Sequence, residues 1–498
     1  MFRGILAVLI LVQSMSLFAA ETRDKEGVGL TIYMSEKQDQ NYGYDRQIKE
    51  GYAVVKDWRF IDFVQGVNNV TFTDVAKYIN ADTVHFTSLT DPEGTFVVEQ
   101  NYEYDLISTD KILEKYIDQP ITIIRENKDG VATEETATLL SNTGGRFVVN
   151  RGDVKEPIEL FSNYSRMRLG KLPGGLITRP TLFWTVNASK PGKHLCKVSY
   201  ETNGVKWDAA YIAVMKKDDK ALDLSSWVTI ENNSGATYKD AEIKVVAGDV
   251  HAVIAREGNQ GQYGGQQGRM KTREKSFSPQ QFFEYYLYTL GRTSTVKDNS
   301  KKQIELFTPV ANIPAEKILL FGDKTPLIEY NGPYTENNRG FERFAKKNVD
   351  IYVKFNNSAK AGLGIPLPKG TARVYKEDPA DGSLEFIGED SMEHSARDED
   401  VMLRLGSSFD VVGQRTQKNF SCKYDEHWMT ESFEITLRNH KDMNVQVIVR
   451  ETMFRWLNWE ITEKTADFVK VDSRTIHFVV PVAQNGERMI TYTVKYTW

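Results

Sequence analysis

Residues His194 to Val250 read HLCKVSYETNGVKWDAAYIAVMKKDDKALDLSSWVTIENNSGATYKDAEIKVVAGDV, and the alternation inside them decides the fold. Cys196, Val198 and Tyr200 alternate with polar neighbours up to Asn203-Gly204. Trp207, Ala209 and Tyr211 then open a second run that ends at Met215. Leu222, Leu224, Trp227, Val228 and Ile230 form a third run and Ala241 to Val246 a fourth, with Asn-Ser-Gly between them. Successive side chains of a strand point to opposite faces, so an apolar period of two buries one face. β-Branched and aromatic residues suit that pleated surface, and Asn-Gly or Asn-Ser-Gly marks its turns. The stretch predicts antiparallel strands at the centre of the molecule.

The same pattern spreads outward. Toward the C-terminus, Ile351, Val353 and Phe355 alternate, as do Val401, Leu403 and Leu405. Phe433, Ile435 and Leu437 followed by Val445, Val447 and Val449 across Asn439 to Asp442 predict a hairpin. Gln281 to Leu290, QFFEYYLYTL, predicts one strand covered on both faces. Toward the N-terminus, Gly27 to Tyr33, Tyr52 to Val55 and Ile61 to Gly66 predict three strands. Between these regions the period changes. Ser108 or Thr109 is placed to cap a short helix over Asp110 to Tyr116. Short strands at Ile121–Ile124, Glu135–Leu140 and Arg146–Val149 follow, turning at Asp129-Gly130 and Gly144-Gly145. A helix followed by tightly turning strands suggests a small barrel of the SH3 or Sm type, a scaffold that hosts many ligands. Residues 256–275 are rich in Gly and Gln with little to bury and read as a mobile loop.

The fold expected is mainly β: tandem antiparallel β-sandwich domains with one short helix and an SH3/Sm-like barrel insertion. Its divisions are a signal peptide at 1–20, an N-terminal β domain at 21–107 and the helix with its barrel at 108–168. A central sandwich at 169–345 and a C-terminal sandwich at 346–498 follow. At 498 residues the chain exceeds what one hydrophobic core sustains. The first twenty residues hold one charge, Arg3, and an apolar Ile5 to Val12, too short to span a bilayer and suited to a secretory signal. The mature chain is therefore expected in the periplasm or secreted, with no membrane span. A net charge of −5 argues against nucleic acid, whose backbone demands a basic face. Export permits a disulfide, and Cys196 and Cys422 either pair or remain buried thiols.

Chemistry is harder to read. None of the seven histidines stands in a His-Glu-x-x-His spacing, and there is no Gly-x-Ser-x-Gly elbow. His194 and Cys196, two apart on a strand, share a face. Paired carboxylates for glycosidic cleavage depend on the fold, and Glu201, Asp208, Glu231 and Asp249, with His251 at the same strand end, are the groups to inspect. Trp184, Trp207, Trp227, Tyr285 and Tyr288 are candidates for a sugar platform or for core packing. Asp390, Glu393, His394 and Asp398 fall in an acid-rich run and are the candidate calcium or zinc ligands, against a solvated acidic hairpin.

Several segments together resemble a family. VVEQNYEYDL, LPGGLITRPTLFW, VSYETNGVKWDAAY, WVTIENNSGATYKDAEIKVVAGDV, GLGIPLP and FEITLRNHKD are similar to the exported bacterial proteins called mucoidy-inhibitor-like, over roughly residues 28–498. The resemblance implies a secreted or periplasmic, mostly β protein and supplies no catalytic residues. Three functions follow as expectations: a cell-envelope or extracellular interaction protein without an assignable reaction; a carbohydrate binder or glycan hydrolase; and a self-assembling oligomer or fibre subunit joined through strand edges. An envelope protein or polysaccharide is the expected partner.

Overall fold

A computed structural model describes residues 23–34, 50–103, 109–126, 131–143, 146–150, 152, 159–161, 166–170, 179–248, 277–282, 285–322, 332–335 and 348–498. The protein is mainly β, built of sandwiches. No helix among the described residues is long and apolar enough to cross a membrane. The expected signal segment and the 256–275 loop lie outside the described residues. Two compact units divide the chain. One holds Met1–Lys206, Glu231–Lys244 and Thr293–Ser300, the other Trp207–Ile230, Val245–Arg292 and Lys301–Trp498.

In the first unit Gly27–Tyr33 pairs with Tyr52–Phe63, which pairs with Gly192–Asn203, which pairs with Ile79–Ser88, all antiparallel. The two strands expected between Tyr52 and Gly66 are one continuous strand. Leu30, Ile32, Ala53, Val55, Val198 and Tyr200 are buried on one face of this sheet. A second sheet joins Gly66–Thr73, Thr181–Ala188 and Thr95–Glu103. Trp184 packs 5.2 Å from Phe72 of its own sheet and 5.5 Å from Phe86 of the first sheet, closing a sandwich core.

The helix is observed at Thr109–Lys115. Five strands follow it in the order Arg166–Arg168, Pro120–Glu126, Ala132–Thr143, Arg146–Asn150, Glu159–Phe161. The last strand returning beside the first is the order of a small SH3/Sm-type barrel. A register shift between Leu139 and Ser141 lets the long middle strand bend. Leu113 and Tyr116 of the helix segment cover Ile121, Ile123, Leu139, Phe147 and Val149.

The second unit, with the strand ends Val205–Lys206 and Glu231–Asn232 assigned to the first, is built on one ladder that runs Leu384–Met392, Gly370–Glu377, Val205–Met215, Ala221–Asn232, Val310–Phe321, Asn348–Asn356, Asp400–Lys423, Trp428–Asn439, Gly486–Thr497, Trp459–Lys464. A branch pairs Val445–Thr452 with Thr475–Val482. The two layers enclose Phe433, Ile435, Val447, Val449, Phe478, Val480, Tyr492 and Tyr496. Earlier in the ladder, Trp207 and Tyr211 are fully buried, and their polar tips donate to the carbonyls of Val246 (3.1 Å) and Pro368 (2.7 Å). Burying an aromatic without such a partner would strand a donor in the core.

Not every ladder is antiparallel. Ala209–Met215 runs parallel to Gly370–Lys376, and Leu319–Phe321 parallel to Val447–Val449. Parallel neighbours require a long crossover, which local alternation does not reveal. The aromatic run at 281–290 is also two strands, Phe277–Phe282 and Tyr285–Val296, paired as a hairpin.

The expected hairpin across Asn439 is a crossing instead. Trp428–Asn439 pairs with Asp400–Lys423 and Gly486–Thr497, whereas Val445–Thr452 pairs with Thr475–Val482. The cause is the Asn439 side chain, 1 % exposed, whose amide donates to the carbonyls of Met443 (2.8 Å), Ala483 (2.9 Å) and Val482 (3.5 Å). Its Oδ1 accepts the Lys441 N–H at 3.0 Å. Two other strand ends repeat the device. Fully buried Asn232 donates to Ala236, Lys297 and Val296 and accepts from Ser234. Fully buried Asn357 donates to Ile365, Ala396 and Ser395 and accepts from Gly364. Asn203-Gly204, read as a turn within one sheet, likewise lies between strands of different sheets. One carboxamide supplies two donors and an acceptor to backbone that has left its ladder, which is why Asn sits where the chain leaves one ladder for another.

Candidate binding cleft

The cleft lies in the first unit, where three backbone segments meet. Gly204 N–H donates to Gly51 O (3.3 Å) and Asn233 N–H to Gly204 O (2.7 Å). Gly51 has φ +96°, and a Cβ there would lie 2.4 Å from Val205 O. Gly204 has φ +84°, and its Cβ would lie 2.9 Å from Asn233 O. Only glycine permits these approaches without strain. Above this floor opens a cleft of about 180 Å³ lined by Glu50, Gly204, Lys206, Glu231 and Asn233. Lys206 Nζ donates to Glu50 Oε2 at 3.0 Å and stands 3.9 Å from Glu231 Oε2. Asn233 Nδ2 donates to Glu231 Oε1 at 3.0 Å.

Beside the cleft, Tyr33, Tyr52 and Asn203 occupy one rung across three strands. Their neighbours Ile32, Ala53 and Thr202 point into the core, so this rung lies on the half-exposed face. The Tyr33 and Tyr52 rings are 5.0 Å apart and tilted by 57°. Glu201, two residues along from Asn203 on the same face, bonds the Tyr52 hydroxyl. Burial first, then that bond, holds the Tyr52 phenol above its ordinary pKa. Burial and the Glu201 charge raise Tyr33 likewise. Both tyrosines therefore remain neutral O–H donors throughout the physiological range.

Of the acids expected to matter, Glu231 lines the cleft and Glu201 stands next to it. Asp208 is exposed on a strand of the second unit. Asp249 and His251 lie outside the described residues. Among the proposed platform residues Trp184, Trp207 and Tyr288 are core side chains, Tyr285 is half-buried, and Trp227 is exposed. The aromatic pair nearest the cleft floor in register is instead Tyr33 and Tyr52, on the rung next to Gly51 and Gly204. Their opposite parity to Ile32 and Ala53 was visible in the sequence, but their pairing across the intervening chain was not.

The Cys196 thiol donates to the His194 backbone carbonyl at 3.7 Å rather than to its ring. His194 Nδ1 shares a hydrogen bond with Ser88 Oγ at 3.1 Å, both groups buried, and the Asp91 N–H donates to the same hydroxyl. Burial pushes the Cys196 thiol up to about 12, far from a nucleophilic thiolate at neutral pH. Cys196 and Cys422 are both free thiols.

The acid-rich run is taken up by backbone. Asp390 accepts the N–H groups of Arg404 (2.7 Å) and Ser391 (2.9 Å), and His394 Nδ1 accepts the Lys369 N–H at 3.1 Å. Asp398 is in a left-handed turn bonded to Asn357, and Glu393 is exposed. Among the described residues no three His, Cys, Asp or Glu side chains come together as a metal site.

A second charged constellation, absent from the sequence reading, fills the C-terminal sandwich. Arg415 Nε lies 3.0 and 2.9 Å from the two oxygens of Glu451, whose Oε2 also accepts from the Tyr492 hydroxyl. The Arg415 guanidinium lies 3.7 Å over the Phe433 ring. Burial works to lower the Arg415 pKa, but the Glu451 carboxylate outweighs it and holds the group charged. Arg455 Nε faces Glu431 Oε2 at 2.8 Å, and Gln417 donates to Glu431 Oε1 at 2.7 Å. Arg455 Nη1 also donates to Tyr334 O at 3.0 Å.

Fold and site together define a β-sandwich protein with a small polar cleft on a sheet face. No protein-family model matches the chain, and no curated protein matches it.

Proposed function

We propose that the protein is an exported interaction protein of the cell envelope or extracellular space that binds through the cleft of its first unit rather than performing a reaction. The observation that supports this reading is the wiring of the cleft. Lys206 is held by Glu50, Glu231 by Asn233 and Glu201 by Tyr52, over a floor fixed by two positive-φ glycines. Groups fixed by one another in this way are preorganised for contact, which lowers the ordering cost of binding. The resemblance to mucoidy-inhibitor-like proteins and the expected signal peptide point to the same compartment.

The test has two parts in the native host. Terminal sequencing of the mature chain is expected to begin close after Ala20. Envelope fractionation is expected to retain the wild type and to release Lys206→Met/Glu50→Gln at unchanged melting temperature. A chain that keeps its first twenty residues in the cytosol, or a double variant retained like wild type, contradicts the proposal.

A further inference from the structure

We propose that the Tyr33–Tyr52 pair, with Glu201 bonded to it, and the adjoining cleft form a saccharide subsite for neutral or amino sugars. The inference rests on the binding reading above and names its ligand class.

Three features point the same way. The first is the aromatic pair. Most large apolar side chains near this sheet turn inward, Tyr200 among them, yet Tyr33 and Tyr52 stand half-exposed with rings 5.0 Å apart. A tilted pair of faces suits the C–H surface of a sugar ring, and the phenolic hydroxyls supply polar edges. The second is the mixture of hydrogen-bonding groups. Glu50, Glu201 and Glu231 accept, while Lys206, Asn233 and the tyrosine hydroxyls donate. A sugar hydroxyl both donates and accepts, so a set mixing the two roles serves a polyol, whereas a simple cation or anion would need only one. The third is scale. At about 180 Å³ the cleft falls below the roughly 300–1,000 Å³ of drug-sized pockets. It therefore engages about one ring of a longer chain, the rest lying along the open sheet face.

Charge selects among sugars. Among the described residues, Glu50 and Glu231 of the cleft and Glu201 beside it set three carboxylates against the ammonium of Lys206, giving a local excess of negative charge. A uronate or phosphorylated chain is repelled, a neutral chain accepted, and a free amino group favoured.

The experiment is saturation-transfer NMR and calorimetric titration of the full-length mature protein. The probes are cellohexaose, N-acetylated chitohexaose, its deacetylated hexamer and a hexagalacturonate. The expected result is binding of at least one neutral or amino hexamer, with the galacturonate at least about tenfold weaker. Tyr52→Ala is expected to lose about tenfold in affinity, and Tyr52→Phe, which keeps the ring, less than that. Should Tyr52→Ala melt early, Glu201→Gln replaces it, with a weakened affinity for the same hexamer expected. No transfer from any hexamer, strongest binding of the galacturonate, or full affinity in both Tyr52→Ala and Glu201→Gln overturns the inference. These outcomes are separate from the test of binding itself. Loss of envelope retention in the Lys206→Met/Glu50→Gln variant together with silent hexamers would mean that the cleft binds something other than a sugar.

Discussion

The cleft of the first unit and the ion network of the second use the same chemistry at different degrees of burial. In the cleft, Lys206 is 27 % exposed and its partner Glu50 80 %. In the network, Arg455 and Glu431 are each 1 % exposed, and Glu451 is 3 % exposed beside an Arg415 that is 23 % exposed, so the difference from the cleft lies chiefly in the carboxylates. An exposed pair gains about 0–1 kcal/mol, because water screens it and long side chains must be ordered to form it. A buried pair depends entirely on its partner, and removing one member costs about 3–5 kcal/mol, since an uncompensated charge stays in the core. Outward placement thus leaves charge available to a ligand at little cost to stability, while inward placement ties the fold to a single arrangement.

The largest expected effect breaks the inward side. Glu451→Gln leaves Arg415 and Tyr492 without their shared carboxylate, and urea denaturation is expected to show a loss of about 3–5 kcal/mol. Next come the asparagines at the ends of ladders. Asn439→Ala orphans the carbonyls of Met443, Val482 and Ala483, with an expected loss of about 2–4 kcal/mol by the same assay. Gly51→Ala comes third. The φ of +96° and the 2.4 Å approach to Val205 O put its cost at about 1–3 kcal/mol. It is expected to weaken binding as well, because the floor of the cleft must move.

A smaller effect is confined to acid. Burial alone would raise the Asp219 pKa, but hydrogen bonds from Lys317 and Lys376 outweigh it and leave the carboxyl below its ordinary value. A depressed folded pKa adds stability that is fully present above the unfolded value of about 3.9 and is lost as pH falls through the folded one. Asp219→Asn should therefore flatten the acid limb of the stability curve below about pH 4. An unchanged acid limb in a melting series would remove this triad from the account.

How much of this was legible in the sequence follows from what alternation encodes. It records which face of a strand is buried, so the strands of His194–Val250, the short helix and the turning strands of the small barrel could be read directly. Alternation is blind to partners. It could not show that Asn439 ends one ladder and opens another, that Ala209–Met215 has a parallel neighbour, or that the chain returns to its first unit at Glu231–Lys244 and Thr293–Ser300. The compact units accordingly do not follow one another along the chain as consecutive domains would.

The buried ion pairs did leave a trace. Glu431 falls between Met429 and Phe433, and Glu451 between Val449 and Met453, each at the parity of its buried neighbours. A charge at an inward position requires a partner, so the pattern called for buried cations even though it could not name Arg415 and Arg455. Glu201 and Glu231 were singled out as candidate paired carboxylates. What makes them neighbours of a cleft is the junction of Gly51, Gly204 and Asn233, a long-range contact with no local signature.

The most direct test sets Glu451→Gln beside Lys206→Met in one thermal-unfolding experiment on the mature chain. A loss near 4 kcal/mol in a unit of this size corresponds to a drop of roughly 8–16 °C for Glu451→Gln, against about 2 °C or less for Lys206→Met. Comparable drops in the two variants would contradict the division between charge that holds the fold and charge that faces a ligand.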